Sequence, residues 1–171
     1  SLPGYLLTEV QNINAIKDDT LEVEIYMKQK TRDLLFELTV KEGDPDRISN
    51  ITGTLSGIAG SFDLSSQRTC GEAMNTSFPF ARTNDKITAH TRLLGTTGLK
   101  QSLRIDLTFT DGSSQTIEND LTDLLKNFND DMPTPMYITG DLLTPIEADM
   151  TATIVGWENG NEENGENIEI Y

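Results

Sequence analysis

The sequence is poor in the residues that most chemistry needs. It has one cysteine and one histidine in 171 residues. A single Cys70 can form neither an internal disulfide nor a multi-cysteine metal site, and its expected place is that of a small buried thiol. His90 stands in Thr88-Ala89-His90-Thr91-Arg92, on the strand face opposite Ile87, Ala89, Thr91 and Leu93, and is expected to face solvent. Spacing alone leaves a Cys–His pair open, because such partners meet in space and not in sequence. No Gly-x-Ser-x-Gly elbow, Gly-x-Gly-x-x-Gly turn or Walker lysine is present, so the usual entries to serine hydrolysis, dinucleotide binding and phosphate binding are missing. Paired carboxylates for glycoside hydrolysis need no local motif, but nothing singles out a pair.

Long apolar runs are also lacking. None approaches the roughly 20 residues that span a bilayer, and no basic stretch followed by an apolar one opens the chain, so no transmembrane segment is expected. The chain begins Ser1-Leu2-Pro3-Gly4-Tyr5 without Met, as expected of one domain taken from a longer, exported precursor.

Bases run out halfway along. Residues 1–104 hold 13 acidic and 12 basic side chains, residues 105–171 hold 15 acids and only Lys126, and the net charge is −15. That sign argues against nucleic acid and anionic membrane surfaces as partners. The acidic part is not a disordered tail at its start, because Leu103, Ile105, Leu107 and Phe109 alternate strictly.

What is present is mostly the period of two expected of half-buried strands. Leu21, Val23, Ile25 and Met27 alternate with Glu22, Glu24, Tyr26 and Lys28, and Leu34, Phe36, Leu38 and Val40 repeat the pattern. After the breaker Gly43-Asp44-Pro45-Asp46, residues 48–58 read as a bulged or closely packed strand. Residues 74–80 and 86–94 are further strands, with a loop between them at 81–85. Residues 99–110 and 115–118 form a hairpin through Asp111-Gly112-Ser113-Ser114, since Asp-Gly supplies the positive φ of a tight turn. Asp120 caps a helix of about two turns carrying Leu121, Leu124, Leu125 and Phe128. Strands follow at 136–140, at 150–157 and at 168–171. One domain, residues 1–171, is expected: an all-β sandwich of about seven to nine strands with one short helix.

Acids on loops suit calcium better than any other ion. Two stretches qualify by composition, Asn127-Phe128-Asn129-Asp130-Asp131 and the segment from Glu158 through Asn161, Glu162 and Glu163 to Glu166, yet neither has EF-hand spacing and both read first as solvated turns. Trp157, the only tryptophan, is a candidate for stacking on a glycan, although its place in the run Thr153, Val155, Trp157 favours a strand-end packing role. The sequons at Asn50 and Asn75 carry weight only in a glycosylating host.

The order Ile48-Ser49-Asn50-Ile51-Thr52-Gly53-Thr54-Leu55-Ser56-Gly57-Ile58-Ala59-Gly60, Thr110-Asp111-Gly112, Met136-Tyr137-Ile138-Thr139-Gly140-Asp141, Ile154-Val155-Gly156-Trp157 and Asn167-Ile168-Glu169-Ile170 resembles fimbrillin-like surface proteins and fimbrial anchors of Bacteroides-type bacteria. The resemblance covers residues 34–171. It implies a transthyretin-like sandwich, with an Ig-like arrangement of the same strands left open. It also implies a lipid anchor on the precursor, a place outside the cell at the outer membrane, and partners that are other fimbrial subunits or surface proteins. Such proteins assemble when an extended segment of one subunit completes the sheet of the next. Here Ile168, Ile170 and Tyr171 are the candidate exchange segment. The expected function is that of a non-enzymatic fimbrial subunit or anchor. The alternative is a module that recognises a glycan or calcium through Trp157, Glu158, Asn161, Glu162 and Glu163.

Overall fold

In the computed structural model, which describes residues 4–14, 16–17, 20–146 and 150–160, two sheets face each other across one apolar core. The chain order is β1 (Leu7–Thr8), β2 (Lys28–Gln29), β3 (Arg32–Glu42), β4 (Ile48–Asp63), β5 (Arg68–Pro79), β6 (Ala81–Thr83), β7 (Lys86–Leu93), β8 (Ser102–Phe109), β9 (Ser114–Asp120), α1 (Thr122–Leu125), β10 (Met136–Leu143) and β11 (Thr153–Gly160). One sheet runs β11-β10-β3-β7-β6, the other β5-β4-β8-β9, and β1 pairs with β2 as a small separate ribbon. All pairs are antiparallel except β3 with β10, which run parallel from Leu34 opposite Met136 to Glu42 opposite Leu143.

Alternation explains the layers. Leu34, Phe36 and Leu38 of β3, Ile87 and Leu93 of β7 and Ile138 and Leu142 of β10 point inward from one sheet. Leu55 of β4, Leu103, Ile105 and Leu107 of β8 and Phe78 of β5 meet them from the other. Phe36 and Phe78 stack across the gap with ring centroids 5.6 Å apart, and Phe80 lies tilted against both. Each such ring contact adds about 1 kcal/mol to what burial of its surface contributes. The result is the all-β sandwich that the strand pattern predicts.

The hairpin between β8 and β9 forms where Asp-Gly places it. Gly112 takes φ +85°, Asp111 Oδ1 accepts from Ser113 N at 2.9 Å, and the ladder runs from Thr108 opposite Ser114 to Ser102 opposite Asp120. Asp120 Oδ1 accepts from Thr122 N at 3.0 Å, but the residue at the helix cap is Leu121, which has no side-chain capping bond, and α1 is a single turn after which the chain continues through turns. Leu121, Leu125 and Phe128 are nevertheless fully buried, so the apolar spacing was satisfied by turns as well as by helix.

Further expectations are corrected. Residues 21–27 form no strand: their alternation is intact, but among the described residues no strand pairs with them, and Leu21, Ile25 and Met27 stay exposed. Period two needs a ladder partner to become a strand. Residues 81–83 are not loop but β6, which covers only Lys86–Thr88 of β7. Cys70 is exposed, because it lies on β5, an edge strand that turns most of its side chains to solvent. Trp157 does not share a face with Thr153 and Val155. Between Thr139 opposite Glu158 and Asp141 opposite Val155, two residues of β11 face the single Gly140. Gly156 takes φ +65° there, and the bulge rotates Trp157 onto the core side with Ile154. Gly140 makes room for the indole: a Cβ at that position would stand 3.1 Å from both Trp157 Cε3 and Ile154 Cγ2.

Candidate functional site

The outer face of the five-stranded sheet carries a buried carboxylate with three side-chain partners, that of Asp33. Register sets Asp33 directly opposite Arg92 and Leu35 opposite His90, so His90 lies one diagonal step from Asp33 on the same face. Asp33 Oδ1 meets His90 Nε2 at 2.8 Å and accepts from Arg92 Nε at 2.9 Å. Asp33 Oδ2 accepts from Tyr5 Oη at 2.9 Å. The Arg92 guanidinium lies 3.8 Å from the Tyr5 ring centroid, a close cation–π contact. The Asp33 side chain is only 5% exposed. Burial pushes its carboxyl up, while the bonds from His90, Tyr5 and Arg92 together outweigh that and hold it below the usual carboxylate range.

Tyr5 comes from the segment that precedes the sandwich, and its bond fastens that segment to Asp33; Leu35, on the same face of β3, is 2% exposed although it lies outside the main core cluster. Leu6 N donates to Thr31 Oγ1 at 3.4 Å and Lys30 N donates to Leu6 O at 2.8 Å beside it. Beneath this arm, Arg32 reaches the crossing stretch after α1. Its Nε donates to Thr134 O at 2.6 Å and its Nη1 to Asn127 O and Phe128 O at 3.0 and 2.9 Å, with the guanidinium 5.4 Å from the Phe128 ring centroid. Arg32 is 6% exposed, and burial lowers its pKa against the pull of Asp131 and Asp130.

A carboxylate bonded to a histidine is half of a catalytic triad in appearance. Here His90 is half-buried, not solvent-facing, and its partner is an acid that also holds an arginine and a tyrosine. Cys70 belongs to β5, where it pairs with Ser61 of β4 in the four-stranded sheet, whereas His90 is on β7 of the five-stranded one, so the two lone residues are not brought together. The arrangement works as a clasp that ties the leading arm to the sheet. Asp33 was not singled out in the sequence; the one available signal is a charged pair, Arg32-Asp33, at the head of a strongly alternating run.

The other candidates are dispersed. Trp157 is half-buried against the core, and its Nε1 is buried without a partner among the described residues. Glu158 is exposed on β11, whereas Asn161, Glu162, Glu163, Ile168, Ile170 and Tyr171 lie outside the described residues. In the 127–131 stretch, Asn129 is engaged by the chain itself: its Oδ1 accepts from Thr96 N at 2.8 Å and its Nδ2 donates to Thr96 O at 3.0 Å. Among the described residues no three or more His, Cys, Asp or Glu side chains cluster as metal ligands would, and no helix is long and apolar enough to cross a membrane.

The sheet edges are the remaining feature. β5 is twelve residues long, is mostly exposed and, among the described residues, pairs on one side only, with β4. Among the described residues β11 and β9 likewise pair on one side. This two-sheet fold is shared with solved structures. A candidate adhesin from Bacteroides ovatus superposes with a TM-score of 0.58 at 12% identity, over 82% of this chain and 54% of that one. The fimbrial anchor protein Mfa2 from Porphyromonas gingivalis gives 0.52 at 16% identity, over 78% and 47%. A candidate cell adhesion protein from Bacteroides fragilis gives 0.50 at 16% identity, over 84% and 49%. The chain therefore spans about half the length of each. No curated protein sequence matches significantly. The family model of the fimbrillin-A associated anchor proteins Mfa1 and Mfa2 matches residues 3–163, and the chain belongs to that family.

Proposed function

We propose that this chain is part of a non-enzymatic fimbrial protein of the cell surface, an anchor or subunit that holds its neighbours by β-strand addition. The observation that carries this reading is the family match, which runs through nearly the whole chain. The long one-sided edge of β5 supports the finer step, since an unpaired edge offers a row of main-chain donors and acceptors to an incoming strand. Ile168, Ile170 and Tyr171 are the segment proposed to be exchanged with a neighbour. The partners are other fimbrial subunits, and the place is the outer membrane, reached through a lipid anchor on the precursor. A net charge of −15 suits a surface that must remain dispersed at high local concentration.

The test uses the full-length protein, epitope-tagged in its own bacterium. It should be cleaved by protease added to intact cells, should co-purify with sheared fimbriae, and should incorporate labelled fatty acid. A protein that stays protected inside intact cells, or fimbriae unaltered in number and attachment when its gene is deleted, would sink the proposal.

A further inference from the structure

Residues 21–27 alternate as a strand does, yet among the described residues no strand lies beside them. Leu21, Ile25, Tyr26 and Met27 are each more than half exposed, and Val23 is 39% exposed. Large apolar side chains at successive positions of one extended segment form a surface that association would remove from water. The alternation finds no ladder within a single copy, so the question is which partner would complete it.

The segment runs directly into β2, and the pairing of β2 fixes which edge is free. Leu7 lies opposite Gln29 and Thr8 opposite Lys28, and Lys30 N donates to Leu6 O at 2.8 Å. Bonded and non-bonded positions alternate along an antiparallel pair, so Lys28 and Lys30 turn their main-chain groups toward β1 and Gln29 turns its own away. Glu24 O accepts from Gln11 Nε2 at 3.1 Å, which keeps the even positions facing the leg that leaves β1. By the same alternation Val23, Ile25 and Met27 present their N–H and C=O groups to the other edge, where among the described residues β2 has no neighbour. A groove of about 810 Å³, bordered by Met27, Lys28, Gln29 and Lys30, leaves room beside it.

Charge decides what fits this edge. Glu22, Glu24, Tyr26, Lys28 and Lys30 follow one another at every second position, acids before the tyrosine and bases after it. A second copy of the segment, laid antiparallel about Tyr26, therefore meets each acid with a base: Glu24 stands opposite the partner's Lys28 and Glu22 opposite the partner's Lys30. On the other face Ile25 stands opposite the partner's Met27. A parallel partner would set Glu24 against Glu24 instead. The charged positions are the non-hydrogen-bonded ones, where side chains approach most closely across the ladder. Within one copy these charges are only partly engaged. Lys28 is paired with Glu9 at 3.0 Å, while Lys30 Nζ lies 5.8 Å from the Phe62 ring centroid.

We infer that residues 21–30 are a self-complementary strand through which two copies of this chain pair antiparallel about a two-fold axis at Tyr26. The two β1–β2 ribbons then join into one four-stranded sheet, and each charged pair is made twice, as an isologous interface requires. The inference stands on this segment alone. It uses neither the edge of β5 nor the fimbrial reading.

Sedimentation of the purified protein over a range of concentrations tests it. The wild type should form dimers that weaken as salt rises. Glu22→Lys with Glu24→Lys sets like charges opposite each other throughout the interface and should weaken dimerisation about tenfold or more. Lys28→Glu with Lys30→Glu should do the same. Mixed together, the two variants should pair again, because every reversed acid then meets a reversed base. Lys28 also holds Glu9, so Glu22→Lys and Lys30→Glu as single variants repeat the mixing on a pair that leaves Glu9 aside. Circular dichroism at monomeric concentrations confirms that each variant folds. For the register, Tyr26→Cys in a Cys70→Ser background should close a disulfide between copies under mild oxidation. Glu22→Cys should not, since its two copies stand about 27 Å apart. A protein that stays monomeric, a dimer indifferent to the reversals, reversed variants that fail to pair when mixed, or cross-linking as fast at position 22 as at 26 overturns the inference. Co-purification with fimbriae tests the fimbrial reading separately, so the two can fail independently.

Discussion

Tyr5 and Asp33 stand 28 positions apart and are joined by one hydrogen bond of 2.9 Å from phenol to carboxylate. Through it the leading arm is fastened to a strand that has its own place in the core. Tyr5→Phe keeps the ring over Arg92 and removes only the bond, so it should cost about 1 kcal/mol and raise amide exchange around Leu6 and Lys30 more than in β8. Asp33→Ala strips the acceptor that three side chains share, and should cost about 3 kcal/mol. Urea unfolding of both variants measures the two costs, and equal values would show that the phenol bond carries the whole clasp.

Acid should loosen the same clasp. The folded-state pKa of Asp33 lies below its ordinary value, so the folded chain holds the ionised form more firmly than the unfolded one. The resulting stability is present above the unfolded pKa, near 3.9, and is lost as pH falls through the lower folded value. Asp33→Asn should therefore lower stability at neutral pH and flatten its fall below about pH 4. Asp106 is held low by Arg104 and Thr116, but its side chain is 43% exposed, against 5% for Asp33, so Asp106→Asn should change that slope little. Urea midpoints across the acid range distinguish the two.

Arg32 donates to three main-chain carbonyls, of which Asn127 O also accepts from Asp130 N. Arg32→Met preserves much of the stem and leaves those carbonyls without the guanidinium, at a cost of about 3 kcal/mol. Arg32→Lys should recover only part of it, because one ammonium cannot reproduce a planar fork directed at separate acceptors. Equal stability of the Lys variant and wild type would refute the geometric account.

One substitution should help. Thr91 is fully buried on the core face of β7, and its hydroxyl has no partner among the described residues. Thr91→Val keeps the shape and removes a desolvated polar group, so it should stabilise the chain by about 1 kcal/mol and raise the melting temperature by a few degrees.

The parts of the fold that were legible in advance are those whose causes are local. Asp111-Gly112 dictates a turn by itself, and Ile87, Ala89, Thr91 and Leu93 declare a buried face within one strand. Elsewhere the deciding partner was remote or the signal too short. Residues 21–27 alternate as well as β7 does but have no strand beside them. β6 is three residues long and cannot show a period. At Trp157 a one-residue bulge reverses the parity on which the reading relied. The Asp33 clasp depends on residues 28, 57 and 59 positions away, which no window along the chain can join. The Ile168–Tyr171 segment is singled out by its position and by the family resemblance, and it lies outside the described residues.

The parallel pairing of β3 with β10 has a kinetic consequence. It places at the centre of one sheet two strands from opposite ends of the described chain, and Arg32 closes the same junction on a carbonyl 102 residues later. Sequence separation of that size slows folding, because the loop between must be ordered before the contact rewards it. β3 has only β7 beside it until β10 has been made, so a nascent chain waits nearly to Leu143 before its larger sheet can close. During that interval the aliphatic side chains of β3 have one flank without a neighbour, so the sheet's centre is the last part of it to be completed.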